Sequence, residues 1–297
     1  MSSLIVFTLL HPLVDCASAS LLWLTAEGWS SFFVYAFCAF ALQLPLGFVL
    51  DTFPRWTRPA FGVGVGLVAL ACLTGVFLLP GLVMVGVCCL GNALFHLSAG
   101  KLVLDRTDGR SGPIGLFIST GALGLFAASH FVVDNSSAMV APVAFALLAG
   151  GAMACRFVDF SVARQGCWRP RWGLPLAAVA GLFALVAWRG WVALSACSAS
   201  DAFAVLLAGA VVTWAGKVVG GYLAECVGLA IVVAVSVCGS LLLCLGVGTA
   251  SVAGWLAIVF LAQLATGPVL TLVYRCVNRS SGVAFGINCL GLFAGSL

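Results

Sequence analysis

The chain has 297 residues, of which 63% are hydrophobic and only 7% are charged, and its mean hydropathy is +1.21. Soluble domains carry about 25% charged residues, so this composition excludes a soluble protein and indicates an integral membrane protein. The net charge of +4 comes from basic residues scattered singly along the chain, which form no patch for a nucleic-acid partner.

Ten apolar runs, bounded by Gly, Pro or charged residues, are long enough to cross a bilayer as helices. They are Ser3–Leu24, Ser30–Leu50, Pro59–Leu79, Gly81–Leu104, Pro113–Val133, Ala138–Val158, Gly173–Leu194, Ala202–Leu223, Ala230–Val247 and Val252–Tyr274. An eleventh run begins near Gly282, but only fifteen residues follow it. At about 1.5 Å per residue these cannot cross a hydrocarbon core of about 30 Å, so we expect the eleventh helix to be truncated.

Alternating the loops between the two sides of the membrane places twelve of the thirteen Lys and Arg residues on one side. These are Arg55, Arg58, Lys101, Arg106, Arg110, Arg156, Arg164, Arg169, Arg171, Lys217, Arg275 and Arg279. Because cytoplasmic loops are rich in Lys and Arg, this distribution predicts a multi-pass protein of the cytoplasmic (inner) membrane with its N-terminus in the cytoplasm.

The first predicted helix carries His11 and Asp15, which are four residues apart and therefore share one helix face. Asp15 lies about 18 Å along the helix from Ser3, near the bilayer midplane. A carboxylate at that depth is costly unless it is paired or faces water. We therefore interpret the pair as a substrate or proton-coupling site, with a structural hydrogen bond to a neighbouring helix as the alternative.

Further polar residues inside apolar runs are candidates for the same site. Asn92 and His96 lie one turn apart in the fourth helix, where a histidine could take up and release a proton or simply bind a neighbouring helix. Gln43 in the second helix and Gln263 in the tenth are cavity candidates. Trp214 in the eighth helix is a candidate for stacking on a substrate or for packing.

Two internal repeats predict a chain built from two similar halves. Gly47 and Asp51 end one apolar run with the same spacing as Gly221 and Glu225, 174 residues later. The sequence Arg110-Ser-Gly-Pro-Ile-Gly similarly resembles Arg279-Ser-Ser-Gly-Val-Ala, 169 residues later. We predict an N-terminal six-helix bundle over residues 1–160, a cytoplasmic linker over 161–172 and an incomplete C-terminal bundle over 173–297.

These repeats resemble the signature of the major facilitator superfamily, in which a Gly, three residues and an acidic residue follow helices 2 and 8. The stretches Gly91–Gly100 and Gly109–Gly124 are similar to helices 4 and 5 of the bacterial fosmidomycin-resistance-like branch. The resemblance implies an all-α membrane fold of two helical bundles, with about eleven of twelve helices present. It also implies a cytoplasmic gate that contains Gly47, Asp51, Arg55, Lys217, Gly221 and Glu225, although Lys217 could instead be a simple topology anchor.

Arg189 is the one basic residue that the topology leaves off the cytoplasmic side. The resemblance implies that helices 1 and 7 face each other across a central cavity. Arg189 is therefore a candidate to bind an anionic substrate or to pair with Asp15. Extension of its side chain to the outer headgroups is the alternative.

Together these features predict a secondary active transporter, a symporter or antiporter, that moves a small polar or charged solute by alternating access, with protons as a possible coupling ion. We expect a monomer in the lipid bilayer with no cofactor. We also expect no metal, because the thirteen cysteines lie mostly in apolar runs and form no C-x-x-C motif. The alternatives are a polytopic acyltransferase-like enzyme, whose H-x4-D motif has one residue more than His11-Pro-Leu-Val-Asp15, and a non-transporting sensor or scaffold.

Overall fold

The computed structural model describes residues 2–25, 28–77, 81–132, 137–161, 174–196, 203–246 and 251–297. Within these ranges the chain is helical with short turns and contains no strand. The predicted linker, 161–172, lies outside the described residues except for Ser161.

Eleven helices occur in the described part of the chain. In the first half they are α1 (Ser2–Thr25), α2 (Trp29–Ala36, a π turn at Phe37–Ala41, and Gln43–Thr52), α3 (Thr57–Phe77), α4 (Leu82–Arg106), α5 (Ser111–Ser119, Gly121–Ala127 and Ala128–Val132) and α6 (Ser137–Phe157). In the second half they are α7 (Leu174–Ala196), α8 (Phe203–Val227), α9 (Leu229–Gly246), α10 (Val252–Leu264 and Thr266–Cys276) and α11 (Ser281–Ser296).

Nine of these helices are long and apolar enough to cross a membrane, and α7 and α11 contain shorter apolar segments, Leu176–Val192 and Ser281–Ser296. The prediction of an all-α membrane protein with about eleven helices is therefore confirmed. The eleventh helix covers Ser281–Ser296.

Prolines explain two of the interruptions within helices. Proline has no backbone N–H, so it cannot donate to the carbonyl four residues before it. Pro45 follows the π turn of α2 by four residues, and Pro268 lies four residues after the first segment of α10 ends at Leu264. The helix axis is disrupted at both places, and each disrupted helix carries a cavity glutamine next to its interruption.

The helices pack as two groups that meet mainly along two pairs. In the first half α1 packs against α4, α5 and α6, and α3 packs against α4 and α6. In the second half α8 and α9 pack against α10, and α7 packs against α11. The groups meet where α5 packs against α8 and where α2 packs against α11. The repeated sequence motifs thus lie at equivalent places, because α2 and α8 carry one repeat and α5 and α11 carry the other.

We call the end of the molecule that contains the α2–α3, α4–α5, α8–α9 and α10–α11 turns the basic end. The chain that follows α6 is bound there, because Arg106 at the end of α4 contacts the carboxylate of Asp159 at 3.0 Å. Hydrogen bonds from the backbone and side chain of Ser161 hold the pKa of the Asp159 carboxyl below its usual range, so this carboxylate stays ionised for the pair.

Candidate functional site: a polar cavity between the two halves

A cavity of about 500 Å³ lies between the two groups of helices. Residues from α1, α2, α4, α5, α7, α8, α10 and α11 line it. Its lining extends from His11, midway along α1, to Trp23 and Ser296 near the end of the molecule opposite the basic end. The volume is within the range of small-molecule sites, about 300–1,000 Å³.

Asp15 is the centre of a buried polar cluster in the cavity wall. Its Oδ2 lies 3.1 Å from Nε2 of His11, and its Oδ1 lies 3.3 Å from Nε2 of His96. The amide nitrogen of Asn92 donates to the same Oδ1 at 3.1 Å and also reaches the hydroxyl of Ser18 at 3.1 Å. We call His11, Asp15 and His96 the His–Asp–His cluster. The structure therefore brings together four of the residues singled out in the sequence.

The two imidazole rings are oriented by backbone carbonyls. Nδ1 of His11 lies 2.6 Å from the carbonyl oxygen of Phe117, and Nδ1 of His96 lies 2.9 Å from that of Asn92. A carbonyl oxygen only accepts hydrogen bonds, so each Nδ1 carries a hydrogen. Each Nε2 therefore faces Asp15 either with a second proton or with a bare lone pair. The cluster can thus change its charge by gaining or losing protons at the two Nε2–carboxylate contacts.

The position of His11 and Asp15 depends on close packing of α1 against α5. Pro12 frees the carbonyl of Thr8 from the helix, and the hydroxyl of Thr120 donates to that carbonyl at 3.0 Å. A Cβ on Gly121 would collide with the Asp15 carboxylate and lie 2.8 Å from Nε2 of His11. Gly121 therefore provides the space that the cluster occupies, and the sequence analysis did not identify it.

The cluster is compatible in distance with a metal ion, since one ligand atom from each of its three residues lies within 4.8 Å of the others. The hydrogen bonds among these residues and Asn92 account for the same arrangement. The sequence expectation of no metal remains a prediction.

Two cations lie in the same cavity wall. Arg189 of α7 is 6% exposed, and its Nη1 has no hydrogen-bond partner among the described residues. Lys217 of α8 also lines the cavity, and its Nζ donates to the carbonyl of Ile118 at 3.2 Å. The sequence analysis assigned Lys217 to the cytoplasmic side with the gate residues. In the structure its side chain lies in the cavity wall and makes no contact with the Asp51 or Glu225 carboxylates.

Only some of the remaining candidate residues line the cavity. Gln43 and Gln263 are buried and line the cavity. Trp214 is 36% exposed and is not among the residues that line the cavity. The predicted pairing of Arg189 with Asp15 is not present in this conformation, where the oxygens of Asp15 contact His11, His96 and Asn92.

Asp51 lies at the basic end, where α2 meets α11. Its Oδ1 and Oδ2 accept hydrogen bonds from the backbone N–H groups of Gly282 and Val283, at 3.0 and 2.9 Å. Lys101 of α4 contacts Oδ1 at 2.6 Å and also pairs with Asp105 at 3.3 Å. We call Asp51, Lys101 and the first turn of α11 the Asp51 cluster. The negative carboxylate complements the positive end of the α11 dipole.

Glu225 makes the equivalent contacts where α8 meets α5. Its Oε1 accepts from the backbone N–H of Gly112 at 2.8 Å, and its Oε2 contacts Arg110 at 2.5 Å. The hydroxyl of Ser111 donates to the carbonyl of Gly221 at 2.7 Å. We call Glu225, Arg110 and the first turn of α5 the Glu225 cluster. Each repeated carboxylate thus binds the N-terminus of a helix from the opposite half.

The repeated glycines permit these contacts. A Cβ on Gly47 would collide with the backbone carbonyl of Gly282, and a Cβ on Gly221 would lie 2.5 Å from the carbonyl of Ser111. Arg55, expected to belong to the gate, is exposed and makes no ion pair within the described ranges, and Lys101 is the partner of Asp51 instead. Lys101 and Asp105 are four residues apart near the end of an apolar run, and this spacing was the signal that could have identified Lys101 as a buried, paired residue.

Comparison with known proteins gives a likeness of fold. No family model and no curated protein matches the chain. Among solved structures, a variant of the E. coli fucose:proton symporter FucP has 14% sequence identity and a TM-score of 0.67, covering 99% of this chain and 90% of its own. A second FucP structure is described as a major facilitator superfamily transporter in the outward conformation. It has 13% identity and a TM-score of 0.70, with the same coverage. A variant of the nucleoside transporter NupG has 14% identity, a TM-score of 0.56 and the same coverage. The chain therefore has the major facilitator fold.

Proposed function

We propose that this protein is a secondary active transporter that moves a small polar or charged solute across the cytoplasmic membrane by alternating access. The observation that carries this proposal is the cavity between the two halves, which is lined by ionisable side chains and is closed at the basic end by the contacts of α2 with α11 and α5 with α8. Intramembrane ionisable residues are costly and commonly mark a transport pathway. Transporters with the same fold support the proposal by analogy.

The Asp51 and Glu225 clusters would form the gate of this transporter. Both hold a helix N-terminus of the opposite half, so they stabilise the state in which the basic end is closed. In the alternate state these contacts would break and the opposite end would close. With the N-terminus in the cytoplasm, as the positive charges predict, the cavity described here opens to the outside.

The His–Asp–His cluster would couple transport to protons. When both Nε2 atoms carry protons, the two histidines and Asp15 have a net charge of +1, and the loss of one proton makes the cluster neutral. The charged groups that face it across the cavity are Arg189 of α7 and Lys217 of α8. Gain or loss of a proton in the cluster would therefore change the net charge of the cavity.

Reconstitution in proteoliposomes tests this function. Uptake of labelled sugars, nucleosides, organic carboxylates and phosphate esters is measured with and without a pH gradient, together with the internal pH. We expect the pH gradient to drive uptake of one class, and Asp15→Asn to abolish the gradient dependence because it removes the carboxylate that both histidines share. Trp214→Phe, outside the cavity, is the matched control and should transport normally.

Two results would contradict the proposal. The first is transport by Asp15→Asn with an unchanged response to the gradient. The second is hydrolysis or group transfer by the purified protein in detergent without any gradient-driven uptake, which would favour an acyltransferase-like enzyme.

A further inference from the structure

The cavity contains two cations, Arg189 and Lys217, that form no ion pair with the described residues. Asp15 is the one carboxylate among the described residues that line it. Both oxygens of Asp15 are already in contact with His11, His96 and Asn92. Arg189 and Lys217 line the same cavity, one from α7 and the other from α8. The described lining therefore has more positive than negative charge, and an anion that enters the cavity would balance the excess.

Arg189 has the features of a binding residue. The side chain lies in the lower-dielectric interior with no ion pair or hydrogen bond from the described residues, and Nη1 is fully buried without a partner. An unpaired buried charge is strongly unfavourable, so proteins rarely keep one for structural reasons. A planar guanidinium presents a fork of N–H donors that matches a carboxylate or a phosphate.

Lys217 is held in position by the backbone of α5. A Cβ on Gly115 would lie 2.6 Å from the carbonyl of Lys217, so the two helices are in close backbone contact at this residue. The ammonium group has three donors, of which one is used by the carbonyl of Ile118. The other donors remain available to a solute in the cavity.

Neutral polar groups beside the cations add further recognition. The hydroxyl of Thr266 donates to Oε1 of Gln263 at 3.0 Å, which orients the Gln263 amide so that its nitrogen is free to donate. The side-chain oxygens of Gln43 and Asn288 are buried without a donor among the described residues, and both residues line the cavity. Oxygens of this kind accept hydrogen bonds from hydroxyl groups.

We propose that the solute is a small hydroxylated organic anion, whose carboxylate or phosphate is bound between Arg189 and Lys217 and whose hydroxyl groups donate to Gln43 and Asn288. This inference rests on the proposed transport function and specifies its substrate class. Its chemistry differs from that of the fucose and nucleoside transporters with the same fold, because the described cavity here has an excess of positive charge.

Equilibrium binding to the purified protein in detergent tests the inference without requiring transport. The probes are glucose, gluconate, glucose 6-phosphate and inorganic phosphate, measured by calorimetry and by the shift in melting temperature. We expect gluconate or glucose 6-phosphate to bind at least about tenfold more tightly than glucose, since a charge-assisted hydrogen bond contributes more than a neutral one. The comparison of gluconate with glucose 6-phosphate identifies which oxyanion the site prefers, and inorganic phosphate tests whether the hydroxyl groups contribute.

Arg189→Gln and Lys217→Met are the diagnostic variants, and Arg58→Gln is the matched control because it removes one exposed cation outside the cavity. Each cavity variant should weaken binding of the preferred anion by about tenfold or more, with little effect on glucose. Arg58→Gln should bind like the wild type. Without ligand, Arg189→Gln should be as thermally stable as the wild type or more so, because the guanidinium has no protein partner to lose.

The inference is overturned if glucose binds as tightly as both sugar anions, if none of the three anions binds, or if both cavity variants bind anions like the wild type. A lower melting temperature of ligand-free Arg189→Gln would also contradict it, since that result would assign a structural role to the arginine. If the anions bind as expected but proteoliposomes show no gradient-driven uptake, the transport function fails while the binding site stands.

Discussion

The Asp51 and Glu225 clusters occupy equivalent positions in the two halves but differ in their environment. The side chains of Lys101 and Asp51 are 2% and 1% exposed, whereas those of Arg110 and Glu225 are 64% and 22% exposed. Electrostatic interactions strengthen as water is excluded, and removing one partner from a buried pair leaves an uncompensated charge. We therefore expect neutralisation of one partner to be more costly in the α2–α11 contact than in the α5–α8 contact.

Neutralising Asp51 is the most direct test of the difference between the two clusters. Asp51→Asn leaves Lys101 buried with Asp105 as its remaining anionic partner, and we expect the closed state to lose about 3–5 kcal/mol. Thermal unfolding in detergent measures the loss. Addition of Lys101→Met to Asp51→Asn should restore part of the stability, because the unpaired charge is then removed. Equal melting temperatures of Asp51→Asn and the wild type would contradict the account.

Substitution of the repeated glycines separates packing from charge. Gly47→Ala and Gly221→Ala each place a methyl group against a backbone carbonyl of the opposite half. Overpacking of this kind costs about 1–3 kcal/mol, so both variants should destabilise the closed basic end by similar amounts. The melting temperatures of the two variants check this expectation. Gly66→Ala, where an added Cβ meets no atom within 4 Å, is the control.

Neutralising Glu225 should have the smallest effect. Arg110 is exposed to water, so Glu225→Gln loses a screened ion pair and should lower the melting temperature by less than about 2 °C. The small difference should disappear in high salt, whereas the effect of Asp51→Asn should persist because salt screens buried pairs poorly. A larger loss for Glu225→Gln than for Asp51→Asn would reverse the proposed asymmetry.

Much of the fold could be predicted because a bilayer imposes a length and a composition on each segment. The apolar runs predict the helices to within a few residues, and the Gly47–Asp51 and Gly221–Glu225 repeats predict two equivalent halves. The spacing of His11 and Asp15 correctly predicts one shared face, since i and i+4 lie one turn apart in any helix.

Partners on other helices could not be predicted in this way. Lys101 was counted among the basic residues of the cytoplasmic side, yet its amine is buried between α2, α4 and α11. Lys217 lies eight residues before Glu225, or about 12 Å farther from the basic end, and this depth was the available signal for a cavity residue. Gly121 of α5 matters because His11 and Asp15 of α1 pack against it. The sequence does not show which residues of two helices face each other.

The central claim is that two halves close the basic end through these clusters while a cavity opens at the opposite end. Pulsed electron spin resonance distances on a cysteine-free background test it most directly, with one label pair at Arg58 and Val227 and a second at Trp29 and Leu245, which are exposed near the two ends. The account predicts that Asp51→Asn lengthens the first distance and shortens the second. Unchanged distances, or two distances that lengthen together, would contradict it.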